Sequence, residues 1–163
     1  MRKIDIQKYS NFFFDFDGVF TDNKVILNEN GIESVICNRN DGIGIKILKK
    51  LDKKITIIST ERNKTVLQRA KKLKIRCNTG VLDKKEKVLS LLKSKKNLAK
   101  TVYIGNDIND YKAMIICGLR ICPKDSNNKI KKISNFILSK KGGDGIITCM
   151  LEEVFGLDLL KYI

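Results

Sequence analysis

The chain has 163 residues, 42% of them apolar, and no apolar run long enough for a membrane-spanning helix. That length carries one proper core, and the expectation is a single domain over residues 1–163. Thirty-three basic residues face 18 acidic ones, for a net charge of +15, and histidine is absent, which excludes histidine triads and histidine-ligated metals.

The positive charge attracts anions, but the lysines sit at helix-surface spacing without interleaved exposed aromatics. They read as solvated faces, with no nucleic-acid partner expected. Cys37, Cys77, Cys117, Cys122 and Cys149 are scattered and form no Cys-x-x-Cys pair, so reduced thiols and no zinc site are expected. Residues Met1–Lys8 are charged and lack a signal-peptide apolar region, which predicts a cytoplasmic protein with no membrane partner.

The first element is the apolar run Asn11-Phe12-Phe13-Phe14, a strand buried on both faces. It must end near Asp15, because an unpaired buried charge is costly. Asp15 and Asp17 then emerge together at the strand's carboxyl edge, where open α/β sheets bind ligands. Lys24–Leu27 and Ser34–Cys37 flank Asn28-Glu29-Asn30-Gly31 and read as a β-hairpin. A helix over Ile43–Leu51 follows, with Asp41 its candidate N-cap.

Ile55–Ile58 is a second buried strand, ending at Ser59. Lys64–Lys74 is an amphipathic helix, Ile75–Cys77 a short strand, and the stretch with Val88, Leu89, Leu91 and Leu92 another helix. Thr101–Ile104 is a third strong strand, ending at Gly105-Asn106-Asp107-Ile108-Asn109-Asp110. Helical and strand patterns then alternate through Ala113–Ile116, Leu119–Cys122, Ile130–Ile133 and Phe136–Leu138. A Gly142–Gly145 loop precedes a final helix reaching Phe155. This alternation predicts an α/β fold: a doubly wound parallel sheet, Rossmann-like, with a β-hairpin after the first strand.

Each polar cluster lies just past a predicted strand: Asp15/Asp17, Ser59, Lys84, and Asn106/Asp107/Asp110. Right-handed crossovers bring all four to one sheet edge. Two carboxylates, a hydroxyl, an ammonium and an acidic cluster suit phosphoryl transfer. One carboxylate attacks phosphorus, and a second protonates the leaving alkoxide and then activates water. The hydroxyl and lysine hold phosphate oxygens, and a hard cation such as Mg²⁺ neutralises charge. None of these steps needs histidine.

Asp-Phe-Asp-Gly-Val-Phe-Thr-Asp (residues 15–22), with Ser59, Lys84 and Gly105–Asp110, resembles the haloacid dehalogenase (HAD) superfamily over nearly the whole chain. The hairpin, Asn38-Arg39-Asn40-Asp41-Gly42 and Lys141-Gly142-Gly143-Asp144-Gly145 resemble one subgroup of it. That subgroup holds the 3-deoxy-D-manno-octulosonate 8-phosphate phosphatases and the sialic-acid-type 9-phosphate phosphatases. The resemblance implies Asp15 as nucleophile and Asp17 as general acid/base, with Ser59 and Lys84 binding phosphate. It implies Mg²⁺ held by Asp15 and the Asp17 carbonyl, with Asn106, Asp107 and Asp110 as further ligands; Asp110 could instead orient Lys84. Thr21, Arg39, Asp41, Glu61, Arg69, Lys72 and Gly143 become candidate substrate-binding residues. Glu61 resembles the sialic-type variant and tilts the expectation toward a nine-carbon sugar acid.

Two features stand apart from the common pattern. The acidic motif usually begins Gly-Asp-Asp, whereas here it is Gly-Asn-Asp, placing neutral Asn106 at a metal-ligand position. Between Asp15 and Ser59 there is room only for a hairpin and one helix, so no cap domain closes the site. The hairpin's apolar residues Val25, Ile26, Leu27, Val35 and Ile36 are therefore expected to pack in a homo-oligomer. The resemblance implies a tetramer in which the Gly142–Gly145 loop, Arg69 and Lys72 reach a neighbour's substrate. The alternative is a non-catalytic oligomerisation module, the role of the similar C-terminal domain of animal CMP-sialic acid synthetases. Intact Asp15, Asp17 and Lys84 favour the enzyme.

Overall fold

A computed structural model describes residues 3–162. Its centre is β1 (Asn11–Phe14), buried along its whole length. Phe12 and Phe14 join the core on one side of the sheet and Phe13 the core on the other, as the two-residue period of a strand requires. The hairpin strands β2 (Ile26–Leu27) and β3 (Glu33–Ser34) form a separate antiparallel pair. β4 (Lys54–Ile58) and β6 (Thr101–Ile104) flank β1, both parallel to it. β5 (Arg76–Asn78) continues beyond β4, and β7 (Leu119–Cys122) and β8 (Phe136–Ile137) beyond β6. The order is β5-β4-β1-β6-β7-β8 with every pairing parallel, the expected sheet.

Helices cover both faces. α1 (Asn40–Lys50), α2 (Lys64–Leu73) and α7 (Ile146–Glu153) bury Ile45, Leu48, Val66, Ala70, Ile147 and Leu151 against Phe12 and Phe14. α3 (Lys84–Leu92), α5 (Tyr111–Met114) and α6 (Asn128–Ile133) bury Val88, Leu92, Met114 and Ile130 against Phe13 and Tyr103. Truncating one of these buried phenylalanines to alanine costs about 3–5 kcal/mol. None of the described helices is long and apolar enough to cross a membrane.

Several boundaries differ from expectation. Each hairpin strand pairs over two residues only, because Asn28 takes over the turn: its Oδ1 accepts from the amides of Asn30 and Ile32. A short helix, α4 (Lys95–Ala99), capped by Ser94, had no periodic signal. Asp41 does not cap its own helix. α1 begins at Asn40 and has Arg39 at its N-cap without a side-chain bond, and Asp41 lies buried in the first turn.

Candidate active site

The Asp15 amide donates to Ile104 O at 2.9 Å, so the ladder to β6 runs one residue past β1 and delivers the carboxylate to the sheet edge. Asp83 starts α3 by accepting the Glu86 amide at 3.0 Å, which makes Lys84 the first helical residue. The Lys84 ammonium then lies 2.7 Å from Asp15 Oδ1 and 2.8 Å from Asp110 Oδ1. All three side chains are buried, and buried charges persist only when paired in this way.

Asp110 is fully engaged. Its Oδ1 also accepts from Tyr103 Oη at 3.1 Å, and its Oδ2 accepts from the amides of Asn106 at 3.0 Å and Asp107 at 3.3 Å. Tyr103 was not singled out in the sequence; its signal is an aromatic with a polar tip inside a buried strand, two residues before Gly105.

Burial pushes the Asp15 carboxyl well above the usual range; Asp110 adds to this and Lys84 opposes it. Burial presses Lys84 downward, but Asp15 and Asp110 outweigh it and raise the ammonium. Asp17 is half-buried and also raised. Burial is the main cause, the Thr21 bond and Lys84 pull back, and Glu61 and Glu33 push further up. Thr21 Oγ1 donates to Asp17 Oδ1 at 3.2 Å while accepting from the amides of Gly18 and Asn23. Buried Ser59 follows β4, and its Oγ accepts the Glu61 amide at 3.1 Å, which leaves the hydroxyl proton to donate outward.

The donor set fits a hard cation, though not through all the carboxylates expected. Asn106 Oδ1 is buried without a hydrogen-bond partner. Its side chain packs against Gly18, where a Cβ would overlap the carboxamide, Nδ2 most closely and Oδ1 at 3.0 Å. Asp15 and Asn106 thus present oxygen from the carboxyl ends of two adjacent strands, β1 and β6. Asp107 and Asp110, the further ligands expected, have protein partners of their own, and Asp110 takes the alternative role of orienting Lys84. Asp107 is exposed and accepts from the Ile108 amide and Asn127 Nδ2, while Asp110 faces Lys84 and Tyr103. Among the described residues no three Asp, Glu or Cys side chains converge as a metal-holding group.

Other expectations also shift. Thr21 is buried, with its hydroxyl engaged by its own loop, so it holds Asp17 rather than substrate. Asp41 is fully buried and its Oδ1 accepts the Ile147 amide, so it too is no substrate contact. Gly143 donates its amide to Val19 O at 3.1 Å, and Gly142 lies so close to Gly18 O that a Cβ would overlap it. The glycine loop is therefore a brace against its own chain's Gly18–Asp22 segment, not a free arm. Exposed Glu61 follows Ser59, and its charge raises the Asp17 carboxyl. Arg39, Arg69 and Lys72 line a groove of about 560 Å³ between α1 and α2, which none of the Asp15 cluster lines.

A parallel α/β sheet that delivers an aspartate pair, a serine, a buried lysine and an Asn/Asp cluster to one edge defines a hydrolase of the HAD class. Solved structures agree with this. The chain matches a HAD family hydrolase from Streptomyces avermitilis at TM-score 0.90 and 28% identity, covering 97% of this chain and 91% of that one. It matches the 3-deoxy-D-manno-octulosonate 8-phosphate phosphatase of Moraxella catarrhalis, in complex with magnesium, phosphate and KDO, at TM-score 0.84 and 29% identity, covering 96% and 88%. No family model matches the chain. Among curated proteins it is 31% identical over 153 residues to the phosphatase KdsC of Haemophilus influenzae, covering 91% of this chain and 85% of the relative. KdsC of Yersinia pestis is also 31% identical, over 148 residues. The chain belongs to the KdsC family of HAD phosphatases, and it is an enzyme of that kind.

Proposed function

We propose that the protein hydrolyses the phosphate monoester of an acidic sugar in a Mg²⁺-dependent reaction through an aspartyl-phosphate. The observation that carries this reading is the buried Asp15–Lys84–Asp110 set beside the orphaned Asn106 oxygen. 3-Deoxy-D-manno-octulosonate 8-phosphate is the leading substrate, as the named relatives are phosphatases of that compound. A nine-carbon sugar acid 9-phosphate is the second reading, favoured by Glu61, whose carboxylate is exposed and acts electrostatically on Asp17.

Asp15 attacks phosphorus, forming an Oδ–P bond as the P–O bond to the sugar breaks. Asp17, whose carboxyl is raised chiefly by burial, gives its proton to the departing alkoxide. The resulting Asp17 carboxylate takes a proton from water, which attacks the acyl-phosphate and returns free Asp15. Ser59 and Lys84 hold the phosphoryl oxygens, and Asp110 aims Lys84. Asp15, the Asp17 carbonyl and Asn106 would hold the cation, which supplies positive charge to the phosphoryl oxygens when bound.

The hairpin supports assembly. Val25, Ile26, Leu27, Ile32 and Ile36 are 53–71% exposed, an apolar surface that suits further copies of this chain. We assign it to a homo-oligomer, a tetramer by family resemblance, in which Arg69 and Lys72 approach a neighbour's substrate. Sedimentation velocity of Leu27→Lys tests this: dissociation is expected, and an unchanged size removes the hairpin from the interface.

Phosphate release from the 8-phosphate and from nine-carbon 9-phosphates, with and without Mg²⁺, tests the reaction. Asp15→Asn should abolish turnover, and activity retained in that variant refutes the nucleophile assignment.

A further inference from the structure

The start of α7 has no cap of its own. Its N-cap residue is Gly145, at φ 83°, which has no side chain to accept from the first turn. Asp41 supplies the acceptor from the first turn of α1, its Oδ1 taking the Ile147 amide at 3.0 Å. Ile147 is the second residue of α7, a position an N-cap side chain normally serves. The two helices meet closely here: a Cβ on Gly44 would overlap Ile147.

The loop that leads into α7 is the back wall of the Asp17 loop. Gly143 N binds Val19 O, and a Cβ on Gly143 would fall 2.8 Å from Asp22 N. The segment held this way, Gly18–Asp22, carries Thr21, whose hydroxyl holds Asp17. An unbroken series of contacts therefore runs from Asp41 through Ile147, the glycine loop and Thr21 to Asp17.

We propose that Asp41 is a positioning residue for Asp17: by fixing the start of α7 it fixes the glycine brace, and through it the loop from which Thr21 aims the proton donor. This rests on the reading of Asp17 as general acid. A residue that only tied two helices together would alter melting and leave the chemistry alone.

The leaving group separates these roles. A sugar alkoxide needs a proton as it departs, whereas p-nitrophenolate does not, and kcat/KM reports the step in which either leaves. Asp41→Ala, assayed well below its melting temperature, should lower kcat/KM for a sugar phosphate by about tenfold or more. The loss on p-nitrophenyl phosphate should be far smaller. Asp41→Asn keeps the Oδ1 acceptor and should recover most of the sugar-phosphate rate. Asp41→Leu, of the same branching though bulkier and without an acceptor, should reproduce the alanine result and serves if the alanine variant fails to fold. Equal losses on both substrates, or no recovery by asparagine, overturn the proposal. Asp17→Asn run alongside distinguishes the two readings. If it shows no selective loss on the sugar phosphate, the Asp17 assignment fails. If it does and Asp41→Ala does not, only the role of Asp41 fails.

Discussion

Asn106 lies directly against Gly18, with its carboxamide oxygen buried and without a hydrogen-bond partner. A buried acceptor left unpaired costs about 1–3 kcal/mol, so its persistence points to a partner such as a cation. Because amide oxygen brings no charge, Asn106→Asp should tighten Mg²⁺ binding by about tenfold, on the order of 1.4 kcal/mol. Titration calorimetry measures this directly, and unchanged affinity removes Asn106 from the ligand set. Gly18→Ala should weaken binding, since the new methyl displaces the carboxamide.

Lys84 neutralises two buried carboxylates at once. Lys84→Met leaves Asp15 and Asp110 facing each other and should cost about 3–5 kcal/mol of stability. Adding Asp110→Asn should return part of that loss. Tyr103→Phe removes one bond to Asp110 and should cost about 1 kcal/mol. Denaturant melts rank the variants, and a Lys84→Met protein as stable as the parent contradicts the buried ion pairs.

The raised Asp17 carboxyl predicts a pH profile. Departure of the alkoxide needs the protonated form, so kcat/KM should fall as pH rises through the Asp17 pKa. Glu61 raises that pKa, hence Glu61→Gln should move the fall to lower pH. A profile that does not move would show that Glu61 is too far from Asp17 to act on it.

Asp41 predicts a second pH effect, on folding. Burial lifts its carboxyl from 3.8 to about 6, while the Ile147 bond and the Arg69 and Lys140 charges oppose the rise. The native state then binds more protons than the unfolded chain between these values. Its contribution is fully present below 3.8 and is lost as pH rises through about 6. At neutral pH the penalty is on the order of 3 kcal/mol at most. Asp41→Asn should therefore melt higher at pH 7 and flatten the stability slope between pH 4 and 6. An unchanged slope assigns that pH dependence elsewhere.

Much of this could be read from the chain. The runs ending in Asp15, Ser59 and Asn106 announced β1, β4 and β6 and their polar edge, because charge cannot continue into a buried strand. The partners of Asp41 and of the glycine loop could not. Asp41 satisfied every local rule for capping its own helix, yet its amide donor lies 106 positions away in sequence. Gly142–Gly145 has the composition of a flexible connector, and only the approach of Gly18 and Thr21 backbone reveals a brace. Asp107 and Asp110 sit in a motif that suggests metal ligation, but Lys84 and the turn's own amides claim Asp110.

The pairing of β1 with β6 sets Asn11 beside Thr101. Asp15 leaves the ribosome early, whereas Lys84, Asn106 and Asp110 follow much later. Until they arrive, the nascent chain carries a carboxylate pair with β4 to pair β1 on one side but without the lysine counter-charge or the β6 strand on the other. Such pairing across distant segments is slow to form, because loop closure must precede any gain from contact. Catalytic competence should thus appear in one late event, when β6 docks, and truncated chains that end before Thr101 should show no partial activity.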